Sequence, residues 1–281
     1  MTPHIIDAFT TVPFHGNPAG VVLIQGAYPP DVQMGALAKA LGFSETAFVR
    51  PDGPDAFTLR YFTPTDEVDL CGHATVASFH GLWKWGLAAA GRRYLAKTRA
   101  GILGIDLEAD GTVWMDMAPP QAVRSLSDEE AAALYAMFGL SPRDAGIFTP
   151  AIISTGLPDI IMPLSSRDRL SALAPDFPAI TQFSNNIGVV GVHAFAPGEG
   201  NVTAFCRNFA PLYGIPEEAA TGTANGALTF YLYQRKAIAP AAINRFIQGE
   251  AMGRPSQVYS QLLMDQGAVG IRIGGQAVIR E

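Results

Sequence analysis

The residues of this chain that could do chemistry gather in Phe62–Leu82, FTPTDEVDLCGHATVASFHGL. Asp66, Glu67, Asp69, Cys71 and His73 stand close together, with Gly72 directly before His73. An apolar run follows: Ala74, Val76, Ala77, Phe79 and Leu82. Polar groups, a glycine and then an apolar run describe a helix N-terminus opening onto a site. Such an end presents unpaired backbone N–H groups and the positive end of the helix dipole, so it attracts a carboxylate or phosphate. His73 is placed to donate to a substrate carboxylate or to relay a proton; a purely structural histidine is the plainer alternative. Glu45 sits in a loop before a strand, flanked by Phe43 and Phe48. A carboxyl in apolar surroundings holds its proton to higher pH, which suits a general acid or base. Read for packing alone, Glu45 is an exposed loop residue.

A second stretch, FAPLYGIPEEAATGTANGALTFYL at 209–232, repeats the first. Phe62-Thr63-Pro64 matches Phe209-Ala210-Pro211, and Gly72-His73-Ala74 matches Gly222-Thr223-Ala224. Upstream, Ala47, Gly53 and Arg60 match Ala194, Gly200 and Arg207 at one constant offset, and three extra residues enter before the second glycine. This is the pattern of an internal duplication, two halves of similar fold that each present a helix N-terminus. Two such halves are expected to face each other across a cleft, with Gly72 and Gly222 on opposite sides and Glu45 on the wall. In the second half Glu217 and Glu218 precede the helix, where acids also simply favour the dipole. Thr223 either binds a substrate oxygen or caps its own helix.

The elements that must hold these residues are short. His4–Phe9 and Gly20–Ile24 read as strands around the turn Pro13–Pro18. Asp31 opens a helix with Met34, Leu37, Ala38 and Leu41 on one face, and Gly42 ends it. Strands are expected at Ala47–Arg50 and Phe57–Phe62, then a hairpin of Ile102–Leu107 with Thr112–Met117. Ser127 and Glu130 form a capping-box pattern, and Gly139 closes that helix. Later strands are expected at Asn186–Phe195 and Val202–Phe209, a glycine-bearing loop at Gly249–Ser256, and a closing hairpin of Val269–Ile273 with Gln276–Arg280. Many short strands with few helices argue an α+β fold, a helix packed by curved sheet in each half; regular strand–helix alternation is missing. Ala118-Pro119-Pro120 marks the expected boundary, giving domains 1–118 and 119–281, with the last strands free to return to the first.

Composition narrows the function. The chain has 281 residues, enough for two domains, and 48% hydrophobic residues, enough for a large core. A net charge of −6 without a Lys/Arg run argues against a nucleic-acid partner. No apolar run is long enough to span a bilayer and no signal-peptide pattern opens the chain. Two cysteines make no disulfide framework, so a reducing cytoplasm is expected. Metal-ligand spacing is missing, with no CxxC and no HExxH. The nucleophile elbow G-x-S-x-G, the dinucleotide fingerprint and the P-loop are missing too. A two-thiol racemase needs a cysteine at each facing helix start. Cys71 is so placed, but Cys206 matches Leu59, inside a strand. What remains is acid–base work on a small anionic molecule, with no metal and no cofactor.

The sequence resembles the PhzF family of phenazine-biosynthesis-like isomerases, relatives of diaminopimelate epimerase and proline racemase. The resemblance rests on Gly16-Asn17-Pro18, Ser44–Phe48, Asp69–Thr75, Ser154–Pro158, Glu217–Ala224 and Gly253–Ser256, in the family's order over nearly the whole chain. It implies two similar domains, each a barrel-like β-sheet around a central helix, usually assembled as a homodimer. It implies a glutamate that moves a proton between carbons of dihydro-3-hydroxyanthranilate in the type enzyme. On that resemblance Glu45 looks like the general acid/base, His73 the histidine that holds substrate and relays protons, and Glu218 a further catalytic acid. Asn17, Asp69, Gly72, Gly222 and Thr223 look like substrate contacts. The family's usual E-D-P-x-T-G-S-A reads here Glu217-Glu218-Ala219-Ala220-Thr221-Gly222-Thr223-Ala224. A longer acid and a bulkier hydroxyl re-aim a pocket by about one methylene or methyl, enough to change substrate preference. The alternatives are a thiol-dependent racemase and a non-catalytic relative that only binds a small molecule.

Overall fold

A computed structural model describes residues 1–280 of the chain. The helices in order are α1 (Asp31–Leu41), α2 (Gly72–Lys84), α3 (Asp128–Ala136), α4 (Arg167–Ser171), α5 (Phe177–Ile187) and α6 (Gly222–Gln234). Their ends follow local chemistry. Gly42 leaves α1 with φ 69° and returns its N–H to the Ala38 carbonyl. At α3 the Ser127 hydroxyl accepts from the Glu130 N–H while the Glu130 carboxylate accepts from the Ser127 N–H, a complete capping box. No helix among the described residues is long and apolar enough to cross a membrane.

The chain divides into two compact units. One is Met1–Asp116 with the segment from Gly274 onward, and the other is Met117–Ile273. In the first, Ala277–Ile279 pairs antiparallel with Pro3–Ala8, which pairs antiparallel with Asn17–Leu23. Asn17–Leu23 then runs parallel to Thr46–Pro51, Thr46–Pro51 antiparallel to Ala56–Phe62, and Ala56–Phe62 parallel to Arg92–Thr98. Arg92–Thr98 closes antiparallel on Gly101–Leu107. The second unit repeats this order. Ala151–Ser154 pairs antiparallel with Pro158–Pro163, parallel with Gly191–Pro197, antiparallel with Ala204–Ala210, parallel with Ile243–Gln248 and antiparallel with Ser256–Asp265, each strand on the one before it. The duplication seen in the sequence is therefore also one of strand order, and the fold is α+β.

Each sheet wraps one helix. α2 packs against Pro3–Ala8, Asn17–Leu23 and Thr46–Pro51, and α6 against Ala151–Ser154, Pro158–Pro163 and Ser256–Asp265. A helix so enclosed needs apolar or internally bonded residues on every face. In α2 every residue from His73 to Leu82 is buried, and Thr75 and Ser78 turn their hydroxyls back onto the Cys71 and Ala74 carbonyls. The matched arginines carry matched jobs. Arg60 binds both oxygens of Glu67, and Arg207 both oxygens of Glu217. The three extra residues of the second half fall at the short turn Pro211–Tyr213.

One sequence expectation needs correction. The strand expected from Asn186 begins at Gly191, because α5 continues to Ile187 and leaves through the left-handed Gly188. Gly191 has no room for a side chain, since a Cβ there would stand 2.0 Å from the Phe209 carbonyl oxygen. At the other end, Ala277–Ile279 finds its partner in Pro3–Ala8, with Ile279 opposite Ile6.

The first unit is tied by an ion pair. Asp7 is fully buried, its two oxygens 2.7 and 2.9 Å from the Arg280 guanidinium, and it also accepts the Phe14 N–H at 2.8 Å. Removing one partner of such a pair strands the other charge and typically costs about 3–5 kcal/mol. Asp7→Ala is expected to lower unfolding free energy by about 3 kcal/mol in urea titration. A loss below about 0.5 kcal/mol, the level of surface substitutions, would show the pair to be dispensable.

Candidate active site

Parallel pairing of Asn17–Leu23 with Thr46–Pro51 brings the starts of both strands to one end of the first sheet, with Gly20 opposite Thr46. Asn17 begins one strand, and Ser44 and Glu45 lead into the other. Residues Cys71–His73 begin α2 beside them. His73 is the hub. Its Nδ1 lies 3.1 Å from the Asn17 amide nitrogen, and its Nε2 lies 3.4 Å from both the Ser44 hydroxyl and Glu45 Oε2. With the Asn17 amide nitrogen facing Nδ1, that atom accepts, and a neutral ring carries its proton on Nε2, toward Glu45. Cys71 Sγ lies 3.4 Å from Nδ1 and 3.8 Å from Nε2. Glu45 Oε2 is buried and lacks a well-formed hydrogen bond, because its approach to Nε2 has ion-pair distance without hydrogen-bond alignment. A buried carboxyl oxygen beside an imidazole nitrogen is a pair able to hold and pass a proton.

The other expected contacts fall less uniformly. Gly72 opens α2, and the N-cap residue Cys71 offers no side-chain bond to the helix amides. Asp69 turns outward, its carboxylate two-thirds exposed and 3.2 Å from Arg99. In the second unit Gly222 opens α6, and the N-cap Thr221 likewise leaves the helix amides without a side-chain cap. Its hydroxyl donates instead to Glu218 Oε2 at 2.5 Å. The Thr223 carbonyl accepts the Thr155 hydroxyl at 2.9 Å, which ties the Ser154–Pro158 motif to the first turn of α6.

Sequence reasoning missed the support beneath this second site. Gln248 is fully buried and donates to the Glu218 carbonyl at 2.7 Å and to the Thr221 hydroxyl at 3.1 Å; its oxygen accepts from Asn225 at 2.8 Å. Ser256, in the Gly253–Ser256 motif, donates to the Ala219 carbonyl at 2.6 Å. Gly249, with φ 82°, lets the backbone pass where a Cβ would stand 2.7 Å from that same carbonyl oxygen. Burial drops the His193 pKa to about 4, so that ring is neutral, with Asn208 at its Nδ1. Asp159 is the least expected. Burial, reinforced by the negative charge of Glu218 and opposed by a bond from the Gly191 N–H, raises its carboxyl to about 8. The available signal was one acid opening the otherwise apolar strand Asp-Ile-Ile-Met.

Cys206 lies within the strand Ala204–Ala210, its thiol pushed well up by burial, and it is not at the start of α6. Among the described residues, one cluster of metal-ligating types has its donor atoms mutually close: Glu45, Cys71 and His73, within 4.8 Å of one another.

Known proteins share this architecture. The family described as phenazine biosynthesis-like protein matches residues 6–281. A protein of Deinococcus radiodurans named "Uncharacterized isomerase" is 38% identical over 290 residues, covering 98% of this chain and 91% of its own. The trans-2,3-dihydro-3-hydroxyanthranilate isomerase of Pseudomonas fluorescens is 32% identical over 261 residues, covering 92% and 88%. The crystal structure of the Bacillus anthracis phenazine biosynthesis protein of the PhzF family superposes with a TM-score of 0.88 at 28% identity, covering 99% and 96%. Fold and relatives define an enzyme of the isomerase class with the diaminopimelate epimerase-like architecture. The chain belongs to the phenazine biosynthesis-like, or PhzF, family.

Asp159 gives the second unit a pH signature. From the unfolded value near 3.8 up to about 8, the folded chain keeps a proton that the unfolded chain releases. Its contribution is full below that window and is lost as pH rises through it, at up to about 1.4 kcal/mol per pH unit. Asp159→Asn is expected to flatten the fall in stability between pH 5 and 8, by about 2 kcal/mol or more in denaturant titrations. Parallel pH profiles for the two proteins would mean that Asp159 is ionised in the folded state.

Proposed function

We propose that the chain is a cofactor-independent isomerase that shifts a proton between carbons of a small carboxylate substrate, with Glu45 as general acid/base. The observation that carries this is the Glu45–His73 pair: a buried carboxylate oxygen without a hydrogen bond, 3.4 Å from Nε2 of a ring whose Nδ1 is held by Asn17. The start of α2 supplies what the substrate needs. Backbone N–H groups at an N-terminus without a side-chain cap suit a carboxylate, and placing it there sets the adjacent carbon near Glu45. Glu45 removes the proton, the carboxylate's charge is held by the helix end, and Glu45 delivers a proton, exchangeable with solvent while it resides there, to a different carbon. His73 keeps Glu45 oriented and exchanges the proton with it. The resemblance gives Glu218 and Thr223 roles of the same kind, as acid and substrate contact. The substituted pattern Glu218-Ala219-Ala220-Thr221-Gly222-Thr223 favours a substrate related to, but different from, the one named for the Pseudomonas fluorescens relative. A homodimer in the cytoplasm completes the reading.

A thiol mechanism has one observation in its favour, the approach of Cys71 to the His73 ring. It lacks a second thiol at the start of α6, where Thr221 stands. Incubation in D₂O with a panel of small amino, hydroxy and unsaturated carboxylic acids, including trans-2,3-dihydro-3-hydroxyanthranilate, reads proton shift as deuterium at carbon. Glu45→Gln is expected to cut exchange by about 10²–10⁴-fold, the usual contribution of a general acid or base. Exchange unchanged in Glu45→Gln would remove Glu45 from the role. Loss on Cys71→Ser, with Glu45→Gln active, would give the role to the thiol. Tight ligand binding with no exchange, indifferent to Glu45→Gln, would make the chain a binding protein.

A further inference from the structure

Glu45, Cys71 and His73 bring a carboxylate, a thiol and an imidazole to one point, the three donor types that zinc prefers. We propose that these side chains form a three-ligand site for a thiophilic divalent cation, Zn²⁺ by fit, which binds reversibly and occupies the acid/base position. The distances carry the argument. Tetrahedral zinc with sulfur at about 2.3 Å and nitrogen and oxygen at about 2.0–2.2 Å sets ligand atoms roughly 3.3–3.6 Å apart. Glu45 Oε2 and His73 Nε2 are already 3.4 Å apart, and Cys71 Sγ and Nε2 are 3.8 Å apart. All three donors lie within 4.8 Å of one another, so rotations of about an ångström close the set. Glu45 Oε2 supplies the second indication: it is a buried ligand-type oxygen with no hydrogen bond to give up.

The donor set selects the ion. Magnesium and calcium call for six or more oxygen ligands, and one carboxylate beside sulfur and nitrogen does not provide them. Three protein ligands leave the fourth position open, where water or a substrate carboxylate can bind. Binding is balanced by one proton: the Cys71 thiol loses H⁺ to solvent as the Zn–S bond forms. Coordination through Nε2 also requires Nδ1 to carry the ring proton and donate it. Asn17, 3.1 Å away, meets this by turning its amide so that the oxygen accepts. The spacing in the chain, Cys71-x-His73 with a distant Glu45, matches no metal motif, which is why sequence reading expects no metal here.

The test uses full-length protein stripped with chelator and dialysed. Titration with Zn²⁺ against a chromogenic chelator, and with Co²⁺ followed by absorption, is expected to show one equivalent bound and a thiolate-to-cobalt charge-transfer band. Cys71→Ala should abolish the band, and Glu45→Gln should weaken zinc by about tenfold or more. Asn17→Asp, which gives the ring a carboxylate partner, should strengthen it by about 10–100-fold, a gain that a misfolded variant cannot show. Cys206→Ser should change neither. No stoichiometric zinc, or zinc binding unchanged in Cys71→Ala, overturns the site. The inhibitory part rests on the isomerase reading: deuterium exchange should fall with the zinc-binding midpoint and return with chelator. Zinc bound as described by a protein without exchange sinks the isomerase reading alone, and exchange indifferent to saturating zinc sinks the inhibition.

Discussion

A helix enclosed by sheet on every side has one place to open, and that is its end. The first-turn N–H groups of α2 and α6 cannot be satisfied by the helix itself, and neither Cys71 nor Thr221 caps them with a side chain. Ser127, Ser166 and Asp176 cap the starts of α3, α4 and α5 with their side chains. The two central helices go without, as does α1, entered from Pro30. Glu45, Asn17, Cys71 and His73 gather at the start of α2, and Glu218, Thr221 and Gln248 at that of α6. The sheets exist to bury the helix bodies, and burying the bodies is what makes the ends reactive.

The two units show which parts of that plan are structural and which are free to change. Arg60 with Glu67 and Arg207 with Glu217 keep the same bidentate pair across the duplication. That pair sits one step before the helix and braces the short strand leading into it. At the helix start itself the residues part company: Cys71-Gly72-His73 in one unit stands against Thr221-Gly222-Thr223 in the other. One unit thus pairs a carboxylate with an imidazole. The other pairs a carboxylate with the Thr221 hydroxyl and underlies them with the Gln248 network and with Asp159, whose carboxyl is raised by burial. A shared frame carries unlike chemistry at corresponding points.

How much of this was legible follows from distance along the chain. The duplication, the α3 capping box and the glycine stops of α1 and α5 are local signals, or repeats of local signals, although the apolar residues around the α5 stop also read as a strand. The proximity of Glu45, Cys71 and His73 is not local. It depends on the parallel pairing of Asn17–Leu23 with Thr46–Pro51, and on Asn17 reaching a ring 56 positions away. Glu45 and His73 could be nominated one by one by type and neighbourhood, while their pairing could not. Asp159 is hidden in the sequence because a lone acid in a short strand reads as exposed until the sheet buries it. Gln248 carried no signal at all: an amide between Ile247 and Gly249 becomes a hub only once Glu218, Thr221 and Asn225 are folded around it.

The ladder between Ala277–Ile279 and Pro3–Ala8 has a bearing on how the molecule comes into being. During synthesis the first residues emerge long before the strand that flanks them. The first sheet therefore waits with one edge of Pro3–Ala8 unpaired and Asp7 without its guanidinium, while the whole of Met117–Ile273 is made. The later half of the chain holds all its own strands in one continuous segment and can complete itself first. Order of manufacture and order of completion run in opposite directions, and the exposed edge in the interval is the surface on which a chaperone, or an unwanted second chain, would act.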